Sequence, residues 1–437
     1  MASYTVVRDP IYGPIPLDPI ARQLIDTPAF QRLRRVQQLS LASLVYPSAM
    51  HTRFEHSLGV YHLTRSIVQN LERRGDLGGV APDDVRIIPY AGLLHDLSQH
   101  VAAHLLDEFG IEGVEHEEVG AKTLGIGEVG EILASTGIPD VATRIGDIIN
   151  QRSSNPLAGL VAGNCDADKM DYIARDAYHC GLPIGFDQQH LLDAITLVRD
   201  PDTALLQIGL ESWGLTSFEQ MLYSKSVLFR NVYFHRSVRS AMGMLRTLVL
   251  LALDRELIGL EELHKWSDSE LFTVLRLRIG EVCAAASDDY VLFTEILDRI
   301  LERRLYPTAC TFPLSATNKP GAEAILAVER ALAADLGLGH GEVVLDFPVK
   351  PTMLATDLLV RCSDNTVRNA KDLGPEDGFA LNANQQALYV ASGNVSLFTA
   401  RERSVDPELI LKYIRAVEEE VTETGSPTMW SLGGIER

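Results

Sequence analysis

Cysteine is scarce and poorly placed for cross-linking. The five present (Cys165, Cys180, Cys283, Cys310, Cys362) are odd in number, widely spaced and form no C-x-x-C pair. That pattern excludes a cysteine zinc site and favours reduced thiols, as in a cytoplasmic protein. Positive charge is in deficit: 39 Lys and Arg stand against 59 Asp and Glu, a formal net charge of −20. An extended surface for a nucleic-acid backbone is thereby excluded, and any anionic ligand must meet a local basic pocket. The longest apolar run, around Leu248 to Leu253, falls far short of the roughly 20 residues that span a bilayer. No basic-then-apolar leader opens the sequence, and repeats, low-complexity tracts and long linkers are lacking.

What is there suits a globular protein. The 437 residues, 46% apolar and 22% charged, exceed one typical core and predict a larger domain with a smaller appendage. From about residue 17 to 305 the apolar spacing is mainly helical, broken at loops such as 74–84 and the Asn155-Pro156 turn. Ser267 and Glu270 form a capping box that starts a helix running through Ile279. After residues 311–321 the pattern changes. A helix from Ala322 to Leu336 precedes E-V-V-L-D-F-P-V, D-L-L-V-R-C, Q-A-L-Y-V-A-S and V-S-L-F-T-A, which read as short strands, and V-D-P-E-L-I-L-K-Y-I-R-A-V reads as a final helix. Residues 1–305 are therefore expected to form a helical core and 306–437 a smaller α+β lobe.

Four residues read as one divalent-metal site: His56, the adjacent His95 and Asp96, and the distant Asp168. Two imidazoles and two carboxylates suit a metal that activates water. In H-T-R-F-E-H-S-L-G-V, helical apolar spacing leaves His56 on a polar edge, while His95 and Asp96 interrupt the apolar stretch I-P-Y-A-G-L-L-H-D-L, where an uncompensated ionisable pair is costly. His104 and His116 are further ionisable islands. Asp168, Tyr172 and Asp176, at i, i+4 and i+8, share one helix face, with Lys169 one step round.

In order, D-P-I-Y-G, I-D-T-P-A-F-Q-R-L-R-R-V-Q-Q-L, H-T-R-F-E-H-S-L-G-V, A-G-L-L-H-D-L, H-E-E-V-G and D-A-D-K-M-D-Y-I-A-R-D resemble the HD-domain superfamily, and within it the SAM-and-HD-domain type of deoxynucleoside triphosphate triphosphohydrolase. The resemblance is dense over residues 5 to about 240 and thinner beyond. It implies a mainly α fold, an HD-domain helical core with a smaller C-terminal α+β lobe. It also implies a metal-dependent hydrolase in which metal-activated water attacks the α-phosphorus of a deoxynucleoside triphosphate, giving a deoxynucleoside and triphosphate. His56, His95, Asp96 and Asp168 match the metal ligands, for iron, manganese, cobalt, nickel or zinc, with magnesium assisting on the phosphates.

By the same resemblance His104 supplies the leaving-group proton, His116 contacts phosphate, and Arg53, Lys169 and Lys225 offset phosphate charge. Leu39 and Tyr172 wall the sugar, Gln38 and Asp176 are its polar contacts, and Tyr233 completes the enclosure. Asp26, Gln31 and Arg34 match residues that read a GTP or dGTP activator between subunits of a homodimer or homotetramer; stabilising a dimer interface is the alternative. Three positions depart from the pattern: Gln99 stands where a second histidine is common, Phe234 replaces an amide near the base, and Thr5 replaces a lysine that contacts activator phosphates. Gln99 cannot relay a proton, and His100 points about 100° round a helix. These departures keep two other readings open: a phosphohydrolase of mono- or modified nucleotides, and a nucleotide-sensing oligomer whose catalysis has decayed.

Overall fold

A computed structural model describes residues 5–101, 124–284, 287–314, 319–348 and 354–424. His104 and His116 lie outside the described residues. The chain is mainly helical, with three small sheets among the described residues. It divides into two compact units: Met1–His100, Glu115–Phe229 and Pro351–Tyr389 form the first, and Val101–Val114, Arg230–Lys350 and Val390–Arg437 the second.

The first unit opens on a hairpin, β1 (Thr5–Asp9) and β2 (Gly13–Leu17), whose turn is closed by Gly13 at φ +70. Asp18 caps α1 (Pro19–Asp26) by accepting from the Ile20 and Ala21 amides, and its two oxygens also accept from Tyr61 and Tyr90. One carboxylate thus ties a helix start to two later helices. α2 (Pro28–Arg32) follows, and then the long α3 (Arg53–Arg74), which buries Phe54, Leu58, Tyr61, Leu63, Ile67 and Leu71 and ends on Gly75 in the left-handed conformation. α4 (Pro82–Leu94) carries proline in its first turn, where no amide partner is needed, and packs on α3. Gly92 permits that contact: a Cβ there would meet Thr64 Oγ1 at 2.8 Å.

Beyond α5 (Gly127–Ala134) and α6 (Val141–Ile149), α7 (Ala167–His179) begins at Asp166, whose side chain accepts from the Lys169 amide, and it packs on the other face of α3. The approach is closest at Gly59, where a Cβ would lie 1.8 Å from Asp171 Oδ1. After α8 (Gln188–Ala194), β3 (Ile195–Arg199) and β4 (Leu206–Glu211) form a hairpin inside the span expected to be helical. Its turn is set by Asp200, which accepts from the Asp202 and Thr203 amides, so local turn chemistry overrides the surrounding helical period. β4 also pairs in parallel with β7 (Leu359–Arg361), which pairs with β8 (Val367–Asn369). That pairing draws residues 351–389 into the first unit, and the expected boundary after residue 305 falls inside the second. α9 (Leu215–Leu228) leads to a π-helical turn, Phe229–Tyr233.

The second unit packs α10 (Arg236–Asp254) and α13 (Ala322–Asp335) on a three-stranded sheet of order β5-β9-β6, formed by Thr308–Pro313, Asn394–Thr399 and Val343–Asp346. Arg239 grips Asp346 through Nε, 2.9 Å from Oδ2 and 3.1 Å from Oδ1, and through NH2, 2.6 Å from Oδ1. α11 (Asp268–Val282) starts at Ser267 with the expected capping box to Glu270, α12 (Asp288–Leu301) follows, and α15 (Pro407–Thr424) is the final helix. One expectation is corrected: Q-A-L-Y-V-A-S lies in α14 (Leu381–Ser392), not a strand. A short apolar run is ambiguous by period alone, and the alanine, leucine and glutamine around Tyr389 and Val390 favour a helix. No helix among the described residues is long and apolar enough to cross a membrane.

Candidate metal centre

Three helix termini bring the candidate ligands together. His56 sits in the first turn of α3, His95 caps the end of α4, and Asp168 lies in the first turn of α7. His56 Nε2 is 3.2 Å from His95 Nε2 and 3.0 Å from Asp168 Oδ1, while His95 Nε2 is 3.8 Å from that oxygen. The far nitrogen of each ring is already engaged. His56 Nδ1 donates to Asp171 Oδ2 at 2.8 Å, because an ionised carboxylate can only accept, and His95 Nδ1 donates to the Gly92 carbonyl at 2.9 Å, one of the open acceptors of the helix end. Both Nε2 atoms are thereby turned to one point beside a carboxylate oxygen. Two imidazole lone pairs and an anion aimed together fit a divalent cation, and engaged Nδ1 atoms are how metal-ligating imidazoles are oriented.

Asp96 stands at the edge of this cluster. Its Oδ1 is 3.7 Å from His95 Nε2 and its Oδ2 3.9 Å from His56 Nε2, with Oδ2 accepting from Arg53 NH1 at 2.6 Å. The ion pair holds Asp96 close to the other ligands but shares one oxygen with the arginine. The electrostatics follow from burial set against charged partners. Burial lowers the pKa of His56, yet its bonds to Asp168 and Asp171 outweigh that and push it up to about 10. Burial raises the two acids on α7, and their partners more than reverse it. The hydrogen bond and charge of His56 hold Asp168 well below the usual carboxylate range, and Arg175 is the main influence holding Asp171 at about 2.

The remaining candidates are placed as follows. Arg53 is buried on Asp96, and Lys169 folds back to donate to Asp166 Oδ2 at 2.7 Å and the Gly163 carbonyl at 2.8 Å. Lys225 is buried in the last turn of α9, not on a solvated surface. Gln38 is buried, its backbone N–H donating to the His51 carbonyl and its side-chain Oε1 having no partner among the described residues; Leu39 beside it is half-buried. Asp176 is buried against His51, Oδ1 to Nε2 at 2.8 Å. Burial, and then the nearby carboxylates, push the Tyr172 phenol well up, so it stays neutral. Tyr233 ends the π-helical turn and, with Phe234, belongs to the second unit. Gln99 and His100 lie beyond the end of α4, so the helical angle expected for His100 does not apply; both are buried, and Arg32 binds the Gln99 carbonyl.

Asp26 is exposed beside Arg22, and Gln31 accepts from Arg34 Nε at 2.8 Å. The Arg34 guanidinium stacks 3.5 Å from the centroid of Phe54. Thr5 begins β1. Four residues around the centre escaped the sequence reading: His51, Asp166, Asp171 and Arg175. Asp171 and Arg175 stand at i and i+4 within a quoted motif and so were legible as an ion pair, and Asp166 as a cap; nothing local pointed to His51.

An HD domain model matches residues 53–146, which hold His56, His95 and Asp96, and a model described as an HD associated region matches residues 186–374. An uncharacterized protein of Methanocaldococcus jannaschii is 28% identical over 408 residues, covering 91% of this chain and 80% of that one. The deoxynucleoside triphosphate triphosphohydrolase of Homo sapiens is 28% identical over 336 residues, covering 69% and 51%, and that of Gallus gallus 29% over 263 residues, covering 53% and 42%. The chain spans about half the length of these triphosphohydrolases. Among solved structures, a phosphohydrolase of Bacteroides thetaiotaomicron superposes with a TM-score of 0.70 at 20% identity, covering 91% of this chain and 100% of that one. A hypothetical protein of Aquifex aeolicus gives a TM-score of 0.67 at 26% identity, covering 94% and 99%.

Proposed function

This chain belongs to the HD-domain phosphohydrolases, and on that premise we propose that it hydrolyses deoxynucleoside triphosphates, water attacking the α-phosphorus to release a deoxynucleoside and triphosphate. The observation that carries the reading is the convergence of His56 Nε2, His95 Nε2 and Asp168 Oδ1. These three, with Asp96, hold a divalent transition metal (iron, manganese, cobalt, nickel or zinc). When bound, such an ion is a Lewis acid that brings a water's pKa toward neutrality and polarises a phosphoryl oxygen.

The protein's own groups do the rest. Arg53, held by Asp96, offsets phosphate charge, with Lys169 and Lys225 as further cations and magnesium on the outer phosphates. His104 gives the proton that lets the 5′ oxygen leave, and His116 contacts phosphate. Leu39 and Tyr172 exclude a 2′-hydroxyl, Gln38 and Asp176 bond the 3′-hydroxyl, and Tyr233 completes the sugar enclosure. Asp26, Gln31 and Arg34 read a GTP or dGTP activator at a contact between copies in a homodimer or homotetramer.

The test is a panel of the four deoxynucleoside triphosphates against several divalent ions, with and without GTP or dGTP, scored by triphosphate and deoxynucleoside together. No released phosphate species from any of them removes the reading. A second reading, hydrolysis of a mono- or modified nucleotide, is favoured by Gln99, whose buried Oε1 has no partner among the described residues; monophosphates turned over faster than triphosphates select it. Tight nucleotide binding with no turnover selects a nucleotide-sensing oligomer instead.

A further inference from the structure

The D-P-I-Y-G turn takes no part in the reaction proposed above, yet it is wired to the metal centre. Asp9, last residue of β1, uses Oδ1 to accept from the Ile11 and Tyr12 amides at 2.8 and 3.0 Å, which pins its carboxylate to the turn. Its Oδ2 accepts from Arg175 NH1 at 2.9 Å. Arg175 reaches on, Nε to Asp171 Oδ2 at 2.8 Å and NH2 to Asp171 Oδ1 at 2.9 Å, and that same Oδ2 accepts from His56 Nδ1. Every side chain in the series is buried, Arg175 and Asp171 completely. The Tyr12 ring lies 5.0 Å from the His62 ring, and its hydroxyl accepts from Gln188, so the turn is seated firmly on α3 and α8.

We infer that Asp9 and Arg175 are positioning residues for the metal ligand His56, acting through Asp171, so that the seating of the N-terminal turn sets how strongly the centre holds its cation. The inference rests on the metal-centre reading above. Two carboxylates flank one guanidinium, so the group facing His56 keeps net anionic character and makes the imidazole a stronger donor to a metal. Without the Asp9 charge the guanidinium is left to Asp171 alone, which becomes a poorer acceptor for the Nδ1 proton. A buried ion-pair triad that served folding alone would change stability and leave the metal's environment unchanged.

The experiment uses the full chain loaded with cobalt(II), following affinity by chelator competition and ligand field by visible absorption. Asp9→Asn is expected to weaken cobalt binding by about tenfold and to shift the absorption bands. Arg175→Lys, which keeps a charge but cannot span two carboxylates, is expected to do the same and stands in if Asp9→Asn does not fold. Ile15→Val thins the core under the same hairpin without touching the series; it is expected to lower the Tm while leaving affinity and spectrum as in the unaltered protein. Unaltered binding in both charge variants, or equal weakening in Ile15→Val, overturns the inference. An unaltered protein that takes up neither cobalt nor manganese sinks the metal-centre reading and this inference together, whereas uptake with indifferent variants sinks the inference alone.

Discussion

His56 Nε2 and His95 Nε2 lie 3.2 Å apart although neither ring can hydrogen-bond the other in the tautomers their Nδ1 partners impose. Without a cation the contact is tolerated because His56 takes up a proton and donates it to Asp168 at 3.0 Å. With one, both nitrogens become ligands.

Replacing His56, His95 or Asp168 singly by alanine is expected to reduce bound metal from stoichiometric to trace. Elemental analysis after loading and desalting measures it, and far-ultraviolet circular dichroism checks that the helices persist. Full retention of metal by two of the three variants refutes the ligand set.

Asp171→Ala removes the acceptor of the His56 proton and both hydrogen bonds that Arg175 makes to it, leaving the one to Asp9. Breaking one side of a buried ion pair costs about 3–5 kcal/mol, and losing the group that orients a metal-ligating imidazole costs about 10–100-fold in metal affinity. Chemical denaturation and competitive metal titration should register both losses.

Gly59→Ala is expected to be severe for one methyl group. The new Cβ would lie 1.8 Å from Asp171 Oδ1 and 2.6 Å from Arg175 NH2, both completely buried, so α3 and α7 must separate. Overpacking of this kind costs about 1–3 kcal/mol, and here it also displaces the acceptor of His56. A thermal shift with unchanged metal affinity contradicts the coupling of the two helices through this contact.

In the metal-free protein, pH should limit stability from both sides. His56 is raised to about 10, so its contribution is complete below its unfolded value of about 6.5 and is lost as pH rises through 10. Asp171 is depressed to about 2, so its contribution is complete above its unfolded value of about 4 and is lost as pH falls through 2. Urea midpoints measured in chelator across pH should therefore fall on both flanks. The alkaline decline should flatten in His56→Gln; an unchanged profile there means that His56 is not the group responsible.

The local features were open to reading in one dimension. A helix through His56 followed from apolar spacing, the Ser267–Glu270 box announced α11, and the i, i+4, i+8 spacing of Asp168, Tyr172 and Asp176 in D-A-D-K-M-D-Y-I-A-R-D announced a polar face on α7. The misreadings came where period gave no decision: the hairpin of β3 and β4, whose turn Asp200 fixes, and Q-A-L-Y-V-A-S, short enough to suit either structure.

By itself the sequence determined the donor chemistry, the acidic surface and the helices that carry the ligands, because each depends on residue type or on neighbours within two helical turns. Only the tertiary structure decided which donor faces which. It turned Lys169 back onto Asp166, set Arg53 against Asp96, and brought Asp171 under His56 with Arg175 and Asp9 behind it. Those pairings depend on how nearly two helix axes can approach, and that distance is set at Gly59 and Gly92 by the absence of a side chain, which acquires meaning only when a second helix lies against it.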